Sequence, residues 1–177
     1  MHPNRHLVAL AWLLTALQPE AVASTTESLQ MQIVGNYRYL HHGIFQLYDA
    51  TLLAPSGVEA TNLLSAEHPF ELQFHFLRSI KKNTVLKSAN RMLKKNLLPD
   101  QMTTINQKVA QLHAVYKDIE KGDRATLHYH PQTGTRFDFN NEKCILLPGK
   151  DFARYYFTIW LGAKPISQNM KKALLGR

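Results

Sequence analysis

Phe70-Glu71-Leu72-Gln73-Phe74-His75-Phe76 is the stretch on which the fold turns. Apolar and polar side chains alternate along it, so Phe70, Leu72, Phe74 and Phe76 share one face of a strand while Glu71, Gln73 and His75 share the other. Shortly afterwards the period changes. Val85, Leu86, Ala89, Met92 and Leu93 recur at helical spacing, Lys87, Arg91, Lys94 and Lys95 lie elsewhere on the helix surface, and Asn83 is placed as the N-cap. A half-buried strand followed by an amphipathic helix is the local signature of a sheet covered on one side.

The flanking sequence extends this pattern in both directions. Upstream, Met31 to His41 and Ile44 to Ala54 read as two strands separated at Gly43, and Pro55-Ser56-Gly57 ends the second as a turn. Downstream, Pro99-Asp100 opens a second helix whose apolar positions are Ile105, Val109, Leu112 and Tyr116. Three short strands follow at Arg124 to His130, Thr135 to Phe139 and Lys143 to Leu147, with turns at Pro131 to Gly134 and at Asn140-Asn141. A third helix is expected from Asp151 to Gly162, with Phe152, Tyr155, Tyr156, Ile159 and Trp160 on its buried side, and Pro165, Ser167 and Gly176 bracket a last short one. Strands, two helices, strands and helices again make an α+β domain, a mostly antiparallel sheet with helices packed on one face, and argue against βαβ winding.

The N-terminus carries a different signal. Arg5 gives a short positive segment, Leu7 to Leu17 are apolar apart from Thr15, and Ala21-Val22-Ala23 supplies a small-x-small cleavage site. The apolar run stops short of the about 20 residues a spanning helix needs, so residues 1–23 are expected to be a cleaved export leader, leaving one domain over 24–177 in the periplasm or otherwise outside the cytoplasm. Loss of Arg5 and Glu20 leaves the net charge at +8. That charge favours anionic partners, and export disfavours nucleic acid. Cys144 is the only cysteine, so no intramolecular disulfide forms, and its setting in Lys143-Cys144-Ile145-Leu146-Leu147 suits a small buried hydrophobe, the alternative being a reactive thiol.

Short catalytic motifs are absent: the chain has no G-x-S-x-G elbow, phosphate-binding glycine loop, paired-cysteine zinc pattern or H-E-x-x-H, and neither cofactor nor metal is expected. His128 and His130 fall on one face of a strand and would need a third ligand from His41, His42, His75 or a carboxylate to hold a metal; otherwise they are ordinary solvent-facing histidines. The cations between Lys81 and Lys95 read either as a solvated helix face or as a contact for an anionic membrane surface or an acidic partner. Tyr155, Tyr156, Phe157 and Trp160 read as core ahead of a ligand cage.

Several scattered segments together resemble bacterial chalcone isomerase-like domains. They are Leu47-Tyr48-Asp49-Ala50-Thr51-Leu52-Leu53-Ala54-Pro55, Phe76-Leu77-Arg78, Lys121-Gly122-Asp123-Arg124, Gly134-Thr135-Arg136-Phe137, and a C-terminal run from Phe152-Ala153-Arg154 through Phe157-Thr158-Ile159-Trp160-Leu161-Gly162 and Pro165-Ile166-Ser167 to Lys171-Lys172-Ala173-Leu174-Leu175-Gly176. The resemblance implies an open antiparallel sheet with helices over one face and ligands held between the layers. Plant chalcone isomerases use an arginine, a threonine, a tyrosine and an asparagine around an ordered water, the last two seven residues apart entering the first helix. That spacing falls here on Asn83 and Asn90, or on Thr84 and Arg91 with a one-residue shift, and no tyrosine is available in the stretch. The threonine position falls near Tyr48 and the strand arginine near Arg38.

An arginine in an apolar cleft without the rest of the catalytic set suits carboxylate binding better than ring closure, as in the fatty-acid-binding members of the family. Arg38, Tyr48 and Asn90 are therefore the expected ligand-binding residues of a non-catalytic domain for a small amphipathic or carboxylate ligand. Isomerase or lyase chemistry on another substrate is the second reading, and an envelope interaction through the basic face the third. Arg38 would share the cleft side with Val34, Asn36 and Leu40, opposite Ile33, Tyr37 and Tyr39, or would stand in solvent.

Overall fold

A computed structural model describes residues 30–41 and 43–177. The expected leader with its cleavage site, and His42, lie outside the described residues. Six strands, β1 (Met31–His41), β2 (Phe45–Pro55), β3 (Phe70–Phe76), β4 (Arg124–His130), β5 (Gly134–Phe139) and β6 (Glu142–Leu147), form one sheet in sequential order. Every neighbouring pair is antiparallel. The decisive stretch behaves as its pattern demands, with Phe70, Leu72, Phe74 and Phe76 all buried and the residues between them half-exposed.

Among the described residues five α-helices cover one face: α1 (Lys82–Asn96), α2 (Pro99–Val115), α3 (Lys150–Tyr156), α4 (Thr158–Leu161) and α5 (Gln168–Leu174). The excursion through α1 and α2 leaves from the end of β3 and returns at the start of β4. Its base is closed by paired hydrogen bonds between Ile80 and Ile119, each 2.9 Å, and by Gly122 N–H to the Phe76 carbonyl at 2.8 Å. These bonds let β3 and β4 pair as if they were a hairpin.

Two helices differ from expectation by more than one residue at an end. The first helix begins at Lys82, which places Asn83 inside its first turn; Lys81 is the N-cap and makes no side-chain cap bond. Asp118, across the base of the excursion, accepts from the Lys82 backbone N–H at 2.8 Å and from Lys81 Nζ at 2.8 Å. A carboxylate brought in from elsewhere thus satisfies the helix N-terminus and its dipole. The third expected helix is two, α3 and α4, broken at Phe157, where the Thr158 hydroxyl donates back to the Tyr155 carbonyl. The Asn140-Asn141 turn does follow expectation, with both residues at positive φ (50° and 66°), the two-residue geometry that suits hairpin twist.

The core lies between sheet and helices. Phe70, Leu72, Leu127, Phe137, Phe152, Phe157 and Leu174 are almost wholly buried, each stabilising by about 1.5–3 kcal/mol. At the β1 edge the closure is by backbone: a Cβ at Gly35 would sit 2.0 Å from the Ala173 carbonyl oxygen of α5, so only glycine admits that helix.

Candidate functional site

Between β1–β4 and the helices lies a cavity of about 530 Å³, inside the size range of ordinary small-molecule sites. The sheet contributes Tyr39 and His41 from β1, Leu47 and Tyr48 from β2, Phe74 and Phe76 from β3, and Ala125 from β4. α1 supplies Thr84, Val85, Lys87, Ser88, Ala89 and Arg91. Tyr116, Tyr156, Ile159, Trp160 and Ile166 close the remaining side, with Ile80 at the end of the sheet.

Aromatic rings build the inner wall. Tyr48 stacks on Tyr39 with centroids 5.1 Å apart and meets Phe74 and Phe76 edge-on at 5.4 and 5.9 Å. Trp160 lies 5.1 Å from Phe74 and 6.0 Å from Tyr156. The phenols on this wall find partners within it: the Trp160 ring N–H donates to the Tyr48 oxygen, and the Tyr156 hydroxyl donates to that of Tyr116. Burial pushes the Tyr116 phenol up to about 12 and raises the Tyr48 and Tyr156 phenols well above their usual range, so all three stay neutral.

The rim has the opposite character. His41, Thr84, Lys87 and Arg91 line the cavity and are themselves exposed, which marks them as its mouth. Burial also raises the Tyr39 phenol, and the positive charge of Arg91 partly offsets this, which puts the guanidinium within electrostatic reach of the β1 wall. No carboxylate lines the cavity among the described residues. An apolar chamber with cations at its opening accepts a molecule with an apolar body and an anionic head.

The expected site residues fare differently. Tyr48 is on the wall and buried. Arg38 is not: it points to the open face, where its Nε and Nη2 donate to the Asp49 carboxylate at 2.7 and 2.9 Å, with its side chain about half exposed. The cross-strand register explains why. Arg38, Asp49, His75 and Arg124 form one row over β1–β4, and Tyr39, Tyr48 and Phe76 form the adjacent row on the other face. Asn36 and Leu40 stand exposed with Arg38, while Tyr37 and Tyr39 pack on the core, the reverse of the expected assignment. Val34, skipped by the register shift between Ile33 and Gly35, is partly buried against the core, so it too parts from Arg38.

Asn90 is half-buried and absent from the cavity wall, although Ala89 and Arg91 on either side belong to it. One residue turns a helix by about 100°, enough to swing a side chain off a wall. The one-residue-shifted alternative, Thr84 and Arg91, is the pair that faces the cavity. Thr84, Ser88 and Arg91 are spaced i, i+4, i+7 beside the apolar stripe of α1, a signal the sequence held.

The histidine pair is separated by its neighbours. On the open face His128 lies between carboxylates, 2.8 Å from Glu71 Oε1 and 3.0 Å from Asp138 Oδ2, with Arg136 on Asp138 at 2.9 Å, whereas His130 is exposed. No group of three or more His, Cys, Asp or Glu able to hold a metal occurs among the described residues. Cys144 sits at the β6 register shift, partly buried against the core.

An antiparallel sheet roofed on one side, with a chamber of ligand size between the layers, defines a class of open-faced α+β domains. The chain belongs to the chalcone isomerase-like family, whose model matches residues 16–176. It is similar in structure to a fatty-acid binding protein of Arabidopsis thaliana, with a TM-score of 0.57 at 13% identity over 84% of this chain and 85% of that one. Comparison with curated protein sequences finds no match.

Proposed function

We propose that this protein is a non-catalytic binding protein for a small amphipathic anion, a fatty acid, held with its tail among the aromatic rings and its carboxylate at Arg91. The carrying observation is the contrast within one cavity: an interior of Tyr48, Phe74, Phe76 and Trp160, a mouth bearing Lys87 and Arg91, and no lining carboxylate. The fatty-acid binding protein of similar fold supports the same reading. Binding is favoured over ring closure because the buried phenols are held far from the neutral range in which a general acid or base works best. The leader pattern at 1–23 supports a setting outside the cytoplasm for this work.

Native mass spectrometry of the delipidated protein titrated with long-chain fatty acids is the test. A saturable one-to-one complex that a fatty alcohol of equal length forms more weakly is the expected result; no complex at any chain length overturns the proposal. Incubated with a chalcone, the protein is expected to give flavanone no faster than the spontaneous reaction, and enantioselective product above that rate would move it to the enzymes.

A further inference from the structure

We propose that the mouth of the cavity is a docking face for an anionic lipid bilayer, from which the ligand passes into the chamber. This rests on the amphipathic ligand proposed above. α1 carries five cations and no acid. One of them, Lys82, is occupied at the Ala114 carbonyl at 3.2 Å. The other four, Lys87, Arg91, Lys94 and Lys95, are spaced i, i+4, i+7, i+8, which puts them in a single row, and all four are exposed. The row starts at the mouth, since Lys87 and Arg91 line the cavity, and runs on for about 12 Å. Lys87, Lys94 and Lys95 are in no ion pair among the described residues. Like charges aligned this closely repel one another and are relieved by an anionic surface.

The opposite lip is apolar. Ile44 and Phe45, at the tip of the β1–β2 hairpin, are 71% and 43% exposed. They are two of the six large hydrophobic residues exposed among those described, and they sit in sequence between the wall residues His41 and Leu47. A single exposed leucine needs no explanation, but an adjacent apolar pair beside a cavity mouth does. Arg78 lies 5.1 Å from the Phe45 ring centroid, adding a cation to the same tip. Tyr39 and His41 line the same cavity as Lys87 and Arg91, so the hairpin and the cationic row border one opening. Apolar side chains to enter the headgroup boundary, together with a row of cations for lipid phosphates, match a bilayer better than an acidic protein, which the row alone would satisfy. A fatty acid in a bilayer has its carboxylate at headgroup level, the level at which Lys87 and Arg91 at the mouth would meet it.

The test is co-sedimentation with vesicles of phosphatidylcholine alone and with phosphatidylglycerol added. Wild-type and variant chains share the same N-terminus, so whatever residues 1–29 contribute is common to all. Wild type is expected on the anionic vesicles. Lys94→Gln with Lys95→Gln should lower partitioning about 30-fold, and Ile44→Ser with Phe45→Ser should abolish the part that survives high salt. None of these four residues lines the cavity, so fatty-acid affinity measured without vesicles stays at the wild-type value in both variants. Vesicle binding that persists in a protein that takes no fatty acid would leave docking standing and overturn only the ligand reading. Equal partitioning of wild type and both folded variants overturns docking. So does full competition by polyaspartate with no effect of the Ile44 and Phe45 changes, which would assign the row to an acidic macromolecule.

Discussion

Phe70 and Phe76 stand on the same face of β3, about 20 Å apart along the strand, and meet different surroundings. Phe70 is sealed, with Phe157 4.6 Å away edge-on and Tyr129 at 5.3 Å, whose hydroxyl in turn donates to the Ala66 carbonyl at 2.7 Å. Phe76 looks into the cavity beside Tyr48. One end of the layer is packed solid by α3 and the neighbouring strands, while at the other α1 stands off the sheet and leaves a chamber. The filled end holds the fold and the hollow end is free to bind, so substitutions at the two ends should separate stability from affinity.

The largest effect is expected at the filled end. Phe157→Ala removes a fully buried ring from between Phe70 and the helices and should cost about 3–5 kcal/mol of unfolding free energy. Urea denaturation measures it. Phe76→Ala, whose ring already borders empty space, should cost clearly less, and equal losses at the two positions would erase the contrast.

At the hollow end, Arg91→Met should leave the urea midpoint in place and weaken fatty-acid binding by about 1.5–3 kcal/mol, the scale of a charged hydrogen bond. Fluorescence displacement gives the affinity. A folded Arg91→Met protein that binds as wild type would detach the cation from the site.

The two ends were not equally legible in the sequence. Period-2 alternation placed β3 without error, and turn residues such as Asn140-Asn141 placed the hairpins, because both effects are local. The cavity is a difference in spacing between layers, a tertiary quantity with no local pattern. Its residues were accordingly found unevenly: Tyr48 by resemblance, Arg91 only as the second of two helical registers. The misplaced face of β1 is more instructive. Its own residues, Asn36 and Arg38 alternating with Tyr37 and Tyr39, already indicate which side is wet. Analogy to a catalytic arginine points the other way and leaves the two faces open, whereas Asp49 on the next strand offers Arg38 a partner in water and no reason to be buried.

A smaller effect is expected from His113, on α2 beside Tyr116 and Tyr156, whose Nε2 is buried with no hydrogen-bond partner among the described residues. Burial, with the charge of Lys82 second, holds its pKa below the usual 6.5. The unfolded chain therefore takes up the proton first, so this group's stability is fully present above 6.5 and is lost as pH falls toward the folded value. Thermal melts from about pH 7 down to about pH 5 should show this loss, ahead of the carboxylates, which titrate lower. His113→Phe keeps an aromatic ring and removes the proton site, so it should flatten the slope in that window. An unchanged slope would place the sensitivity elsewhere.

The smallest effect is expected at Arg38, and it bears most directly on which arginine serves the site. Its guanidinium and the Asp49 carboxylate form a two-bond pair on the open face, and the guanidinium holds the Asp49 carboxyl below its ordinary range. Such a pair in water gains little, because solvation and side-chain entropy offset most of the Coulomb attraction. The sheet also separates it from the cavity, with the Tyr39–Tyr48 row facing the other way. Arg38→Met should therefore leave both the urea midpoint and the fatty-acid affinity at wild-type values while Arg91→Met loses affinity. A loss of affinity in a folded Arg38→Met protein would mean that the ligand reaches the open face of the sheet, and would return the site to the first strand.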